Sequence, residues 1–432
     1  MPRKGDDQQS LGHFARLTGR HVLSRFEPFE QWRRAHAEQG HWGYHQEMLT
    51  APGARPARVR DEYQREYAGI NLLSQDYLGL SGHPALRQAI TEALETYGPH
   101  SAGSPAAGGN TPLAGELCEE TARLTAMRHV VLFPSGWAAG FGAVQALVGR
   151  HDHIVVDELA HSCLHQGAAA SPTSRITRTP HLDNAAVRAT LKNIRAHDSA
   201  NGVLVITESL FSMDSDTPDL RGLQRICREY AATLLVDQSH DAGVLGPRGH
   251  GLAGAQGMLG QLDLVVGSFS KAFVSNCGYV ATASPTVAQY LRYFASTHLF
   301  SSAPSPLQIA AALAAVRVAT SAEGEQKREA MLANAHRLRS GLSASGRCAV
   351  LGSASPIVPL RVDSLAVART ALGIAEREGV LLHLVEFPIV PRYQARYRLS
   401  LNSLHTRADM DHAARVITGA IDEAARVHGH EG

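Results

Sequence analysis

The stretch VVGSFSKAFVSNCGYV, Val265–Val280, ends an apolar run and then sets Lys271 among small, apolar and hydroxyl residues. The run before it, Leu262–Val266, reads as a buried strand. A desolvated ammonium is costly, so a lysine held there either finds a partner or loses its charge. Making the nitrogen an imine is one chemical escape. An ordinary lysine at a loop edge is the other reading, and this stretch alone fits both.

Working outward, the same texture repeats. HVVLF (129–133), HIVVD (153–157), GVLVITE (202–208), ATLLVD (232–237) and LDLVVG (262–267) are short, continuous apolar runs. Amphipathic stretches such as LRGLQRICREYAA (220–232) separate most of them. Continuous rather than alternating hydrophobicity, spaced by helices, predicts a mostly parallel α/β sheet covered on both faces. Upstream, GINLL (69–73) predicts a strand, and HPALRQAITEALETYG a helix ended by Gly98. Residues 1–68 are polar, rich in His, Arg and Gln, and read as an N-terminal arm. The large domain then spans 69–325, and 326–432 reads as a smaller α+β C-terminal domain. In open α/β sheets ligands bind beyond the carboxyl ends of the strands. Asp157, Glu208, Asp237 and Lys271 all fall at or just past such ends.

The bulk numbers exclude several classes. In 432 residues, 41 basic side chains balance 40 acidic ones, which argues against nucleic acid or an anionic membrane surface as partner. No apolar run approaches the roughly 18–20 residues that span a bilayer, and MPRKGDDQQS lacks the apolar core of a signal peptide. Cys118, Cys163, Cys227, Cys277 and Cys348 are scattered without CxxC spacing, which reads as reduced thiols in a cytoplasm. His151/His153 and His428/His430 form HxH pairs without a neighbouring Cys or carboxylate cluster, so no metal site is expected.

Chemistry is offered at a few places. In VDQSHDAG, Asp237 can hold the proton on a heterocyclic nitrogen and His240 can donate to a phenolic oxygen; a helix N-cap and a buried neutral histidine fit equally well. FPSGWAAGFGAVQALV opens a helix at Ser135, Gly136 and Trp137, where free N–H groups suit a phosphate. His161, in DELAHSCLHQGAAA, can stack on a flat cofactor or simply be structural. In RYQARYRLSLN, alternation puts Arg396 and Arg398 on one face, which suits a carboxylate or a solvated edge strand.

In this order the motifs resemble the α-oxoamine synthase family of pyridoxal phosphate (PLP) enzymes. SQDYLGL is similar to the family's entry motif, LFPSGWAAG to its phosphate turn and DELAHSC to its stacking histidine. TESLFSMDSDTPDL, VDQSHDAGVLGPRGHG, GSFSKAF, HLFSSAPSP and PRYQARYRLSLNSLHTRADM follow in the family's sequence, over about residues 69–430. The resemblance implies the PLP-dependent transferase fold type I, with a mostly parallel sheet in a large domain and a smaller α+β domain. It implies Lys271 as the Schiff-base lysine, Asp237 on the pyridine nitrogen, His240 on the 3-hydroxyl and His161 as the stacking ring. Ser135, Gly136, Trp137, Ser268 and, from a neighbouring chain, Ser302 become phosphate contacts, with Ser212 at the cofactor's edge. Arg396 is expected on the amino-acid carboxylate, with Gln75 and Glu208 on the substrate side; Arg398 is expected to act mainly on stability. The implied reaction is decarboxylative condensation of a small amino acid with an acyl thioester, carried on coenzyme A or an acyl carrier protein, in a cytoplasmic homodimer with composite sites. An aminotransferase of the same fold, or a non-catalytic partner subunit, are the alternatives; the second is expected to lack the lysine.

The chain departs from the family pattern at Gln75, Ala114 and Gln238, and in VSNCG, where glycines after the lysine are thinned. These departures bear on the acyl donor and the amino acid rather than on the PLP contacts.

Overall fold

The computed structural model describes residues 9–343 and 348–429; the first eight residues and His430 of the second HxH pair lie outside that range. The chain divides into two compact units, one formed by 80–212 with 216–328 and the other by the remaining segments, 213–215 among them.

The first unit is built on seven strands: β1 (His129–Phe133), β2 (His153–Asp157), β3 (Ile176–Thr179), β4 (Val203–Glu208), β5 (Thr233–Asp237), β6 (Leu264–Ser268) and β7 (Gly278–Thr282). Their spatial order is β1-β7-β6-β5-β4-β2-β3. From β6 to β3 every pairing is parallel, and β7 runs antiparallel to both β1 and β6. The five apolar runs thus form strands within a residue or two of their predicted bounds. Two strands escape the pattern of continuous hydrophobicity. One is β3, a short edge strand of sequence ITRT with two exposed positions; the other is β7, which begins only ten residues after β6 ends. Val131, Phe133, Ile154, Val156, Ile206, Leu235 and Val266 pack beneath Ala139, Ala143, Val144 and Leu164 from the helices Gly136–Leu147 and Ser162–Ala170. Each such buried aliphatic side chain contributes about 1.5–3 kcal/mol. The helix Pro84–Tyr97 stops where predicted, at Gly98, whose φ of 70° suits glycine.

The second unit carries two four-stranded sheets. In one, Val380–Leu381 adds in parallel to Glu66–Asn71, which pairs antiparallel with Ala57–Arg60. In the other, Ile357–Val362 and Arg396–Ser400 are antiparallel neighbours. The N-terminal segment is held by an aromatic cluster of Phe14, Phe29, Trp32 and Trp42. Arg369 lies 5.0 Å over the Trp32 ring and pairs at 2.7 Å with Glu386, both being almost wholly buried. Glu386 also accepts from the Leu11 N–H at 2.9 Å. Among the described residues no helix is long and apolar enough to cross a membrane.

Candidate active site

Strand register brings the site residues of the first unit to within two residues of one level. Phe133 faces Gly278, Gly278 faces Ser268, Asp237 pairs with Val266, and Glu208 pairs with Asp237. Gly278 opens the antiparallel β7, and the others end their strands or lie within two residues of the end, with the polar segments just beyond.

At one end of this row Ser135 caps the helix Gly136–Leu147, its Oγ accepting from Ala138 N–H at 3.1 Å. The first amides of that helix have no intrahelical acceptor and are available to an anion. Three small residues nest here. A Cβ on Gly136 would stand 2.4 Å from the Ser268 Cβ, and one on Gly278 would stand 2.4 Å from the Ser135 carbonyl oxygen. The close backbone approach therefore requires glycine, and it leaves Ser268 Oγ beside the helix start. That hydroxyl accepts from Ser270 N–H at 3.1 Å and lies 2.7 Å from Ser270 Oγ. Trp137 is 42% exposed, and its ring stacks on Phe141 at 4.9 Å. Donors of this kind around a cradle that any Cβ would fill fit the phosphate of PLP.

In the middle, Asp237 is buried and its Oδ1 accepts from Ser239 N–H at 2.9 Å. His240 is buried three residues on. Behind them Asp241, fully buried, accepts from Ser209 Oγ and from Leu252 N–H, both at 2.6 Å. Burial pushes its carboxyl up to about 7, against those two hydrogen bonds. The Ser209 N–H also donates to the Asp237 carbonyl at 2.9 Å, so Asp241 braces the strand end through Ser209. Glu208 is buried, and burial together with the nearby Asp237 raises its carboxyl well above the usual range; the His161 amide and the Lys271 charge oppose that rise.

His161 is the N-cap of the helix Ser162–Ala170. Its Nδ1 accepts from Cys163 N–H at 3.2 Å and lies 3.0 Å from Cys163 Sγ, which puts the ring proton on Nε2. The ring itself is exposed, as a stacking surface must be. Lys271, half-buried, stands three residues past the end of β6, and its charge is felt by Glu208 and by the buried Cys163 thiol. The loop that follows is strained: Val274 sits at φ 44° and Cys277 at φ 145°, within the stretch where glycines are thinned. Ser212 is buried in the loop after β4, and Ser302 is exposed.

The remaining expected residues belong to the second unit. Gln75 is half-buried. Arg396, expected on a substrate carboxylate, is fully buried and fully engaged. It pairs with Asp214, and it donates to Met213 O, Gln394 O and Gln394 Oε1, each at 3.1 Å. Arg398, two residues on, is different: its Nε is buried with no hydrogen-bond partner among the described residues. His153, of the first HxH pair, binds Asp198 at 3.0 Å, and no cluster with metal-ligand geometry occurs among the described residues.

One residue escaped sequence reasoning. His181 follows β3 and lies between Asp157, at 2.9 Å, and Asp216, at 3.1 Å. The strand-end rule would have found it had the polar edge strand been recognised.

The sequence profile of class I and II aminotransferases matches residues 68–417. An 8-amino-7-oxononanoate synthase of Geobacter metallireducens is 34% identical over 375 residues, 87% of this chain and 94% of its own length. That of Maricaulis maris is 36% identical over 82% and 87%. Among solved structures, a serine palmitoyltransferase with its PLP internal aldimine superposes with a TM-score of 0.85 at 25% identity, covering 95% of this chain and all of its own. The 8-amino-7-oxononanoate synthase of Francisella tularensis gives 0.67 at 23% identity, over 82% and 97%.

Proposed function

This chain belongs to the class I and II aminotransferase family, within its α-oxoamine synthase branch, and we propose how its own residues carry out that chemistry. It is a PLP-dependent acyltransferase of fold type I that condenses an amino acid with an acyl thioester, releasing carbon dioxide, free thiol and an α-amino ketone. Bound PLP supplies the electron sink for breaking bonds at the amino acid's α-carbon.

The observation that carries the assignment of roles is the row of neighbouring strand ends running from the Ser135–Gly136 turn through Ser268 and Asp237 to Glu208, with Lys271 just past it. Ser135, Gly136, Trp137 and Ser268 hold the phosphate. Asp237 keeps the ring nitrogen protonated through a charge-assisted hydrogen bond, His240 donates to the ring's oxygen, and Ser212 borders the ring. His161 covers its face, aligned by the Cys163 amide. Lys271 would hold the cofactor and is placed to move the α-proton. Glu208, whose carboxyl burial and Asp237 raise above the usual range, faces the acyl side, and Gln75 contributes to the substrate side. The carboxylate role falls to Arg398 in place of Arg396, because Arg396 is engaged at every guanidinium nitrogen and Arg398 Nε has no acceptor among the described residues.

Ser302 lies two residues from Phe300, which is 83% exposed; this supports a homodimer in which Ser302 reaches the other subunit's phosphate. Cysteines scattered without CxxC spacing support a reducing, cytoplasmic setting. Residues 69–325 serve as the cofactor-binding domain, 326–432 as the small domain, and 1–68 as an arm.

The product in the relatives' name carries its amine on a carbon next to a terminal methyl, which is the skeleton that alanine leaves after losing its carboxyl group. A screen of alanine, serine and glycine against acyl-CoA and acyl-carrier-protein thioesters, scored by thiol and carbon dioxide release, should show turnover with alanine. Amino transfer without release of either product would instead favour an aminotransferase.

A further inference from the structure

We propose that His181 is a positioning residue for this reaction, clipping the turn that carries His161 to the loop that carries Ser212. The proposal rests on the reading of His161 and Ser212 given above.

His181 engages a carboxylate with each ring nitrogen. Nδ1 lies 2.9 Å from Asp157 Oδ1, and Nε2 lies 3.1 Å from Asp216 Oδ2. A neutral imidazole can donate from only one nitrogen, so two carboxylate acceptors require the doubly protonated ring. Burial alone would lower its pKa, but the hydrogen bonds to Asp157 and Asp216 raise it from 6.5 to about 10. The ring stands edge-on to Phe211, with centroids 4.4 Å apart.

Each carboxylate organises a different segment. Asp157 Oδ1 accepts from Leu159 N–H at 2.9 Å, Oδ2 accepts from Leu182 N–H at 2.8 Å, and the Asp157 carbonyl accepts from Ala160 N–H at 3.1 Å. Those bonds set the turn that delivers His161 to its N-cap position. The His181 amide adds a bond to Glu158 Oε1 at 3.2 Å. On the other side the Asp216 carbonyl accepts from Phe211 N–H at 3.0 Å, closing the loop around Ser212. Asp216 Oδ1 is buried without a partner among the described residues, so the Asp216 carboxylate holds this loop through Oδ2 and His181. One charged ring thus ties together two segments that no backbone ladder joins.

The test uses the holoenzyme and reads the cofactor rather than turnover alone. Asp216→Ala cuts the outer half of the clip at a partly exposed side chain and leaves Asp157 in place. It should weaken PLP retention about 10-fold, as expected for loss of one hydrogen bond to a charged group, and should shrink the visible circular dichroism of the bound ring. His181→Ala should do at least as much, and Asp216→Asn, which keeps an oxygen acceptor, should recover part of the loss. In a His161→Ala background the Asp216→Ala effect should largely vanish, because the two act in series. Folded Asp216→Ala and His181→Ala proteins with wild-type dichroism and PLP affinity would overturn the proposal, and so would full additivity with His161→Ala. Wild-type protein that takes up no PLP would overturn the functional reading itself, and the proposal with it.

Discussion

Along one edge of the central sheet, Phe133, Gly278, Ser268, Asp237 and Glu208 are brought to within two residues of one level by strand register. Along Arg396–Ser400, two arginines two residues apart meet opposite surroundings, one engaged by Asp214 and Gln394 and the other with an orphaned Nε. In the first region backbone hydrogen bonding places every strand end in one row, so a residue's position in its own strand tells where it will be. In the second, each cation's role depends on side chains arriving from residues 214 and 394, which strand periodicity does not encode. Placement by backbone ladder can be read locally; placement by side-chain partner cannot.

Removing the lysine gives the sharpest test of the first region. Lys271→Ala should lose turnover by about 10^3-fold or more, the combined loss of nucleophile and proton carrier, while PLP still binds through its phosphate and ring contacts. Borohydride should fix PLP on Lys271 of the wild type; mass mapping to any other lysine would break the strand-end argument at its centre.

The two arginines test the second region. Arg398→Ala should leave the cofactor's visible spectrum unchanged and weaken amino-acid binding by roughly 30- to 1000-fold, about 2–4 kcal/mol. Arg396→Ala should instead strand Asp214 and cost about 2–3 kcal/mol of stability, somewhat under the range for a fully buried pair because the Asp214 side chain keeps 23% exposure. Titration with amino acid and thermal melts of both variants separate these outcomes; reversed phenotypes would return the carboxylate to Arg396.

A smaller effect concerns pH. His181 keeps its proton in the folded protein up to about 10, whereas an ordinary histidine loses it near 6.5. Between those values the native state binds the extra proton, so this contribution to stability is complete below about pH 6.5 and is lost as pH rises towards 10. Melts across that window should decline in the wild type and flatten in His181→Ala. An equal decline in both would mean that the Asp157–His181–Asp216 bridge does not hold the strand ends.

The smallest change is expected in the strained loop. Val274, at φ 44°, pays the left-handed cost of a β-branched residue, about 1–2 kcal/mol, against a glycine's greater loss of chain entropy, about 0.5–1 kcal/mol. Val274→Gly should therefore stabilise by about 0.5 kcal/mol and raise the melting temperature slightly. A fall of more than about 1 kcal/mol would show that the half-buried valine side chain packs too well to be spared.

The sequence by itself determined the large sheet and the row of chemical residues at its edge. Continuous apolar runs must be buried on both faces, parallel strands must all point one way, and Asp237, Glu208 and Lys271 therefore had to emerge together. It also determined the helix start at Ser135 and Gly136, straight after a strand. It did not reveal β3, whose ITRT sequence is too short and polar to show periodicity, and so His181 stayed hidden behind it. Nor did it reveal that Gly136 and Gly278 are glycines because the Ser268 side chain and the Ser135 carbonyl press on them. Which arginine remains available was decided only by tertiary structure. A strand's two-residue period assigns a face, but a buried charge is settled by the partner that reaches it, and Asp214 reached Arg396.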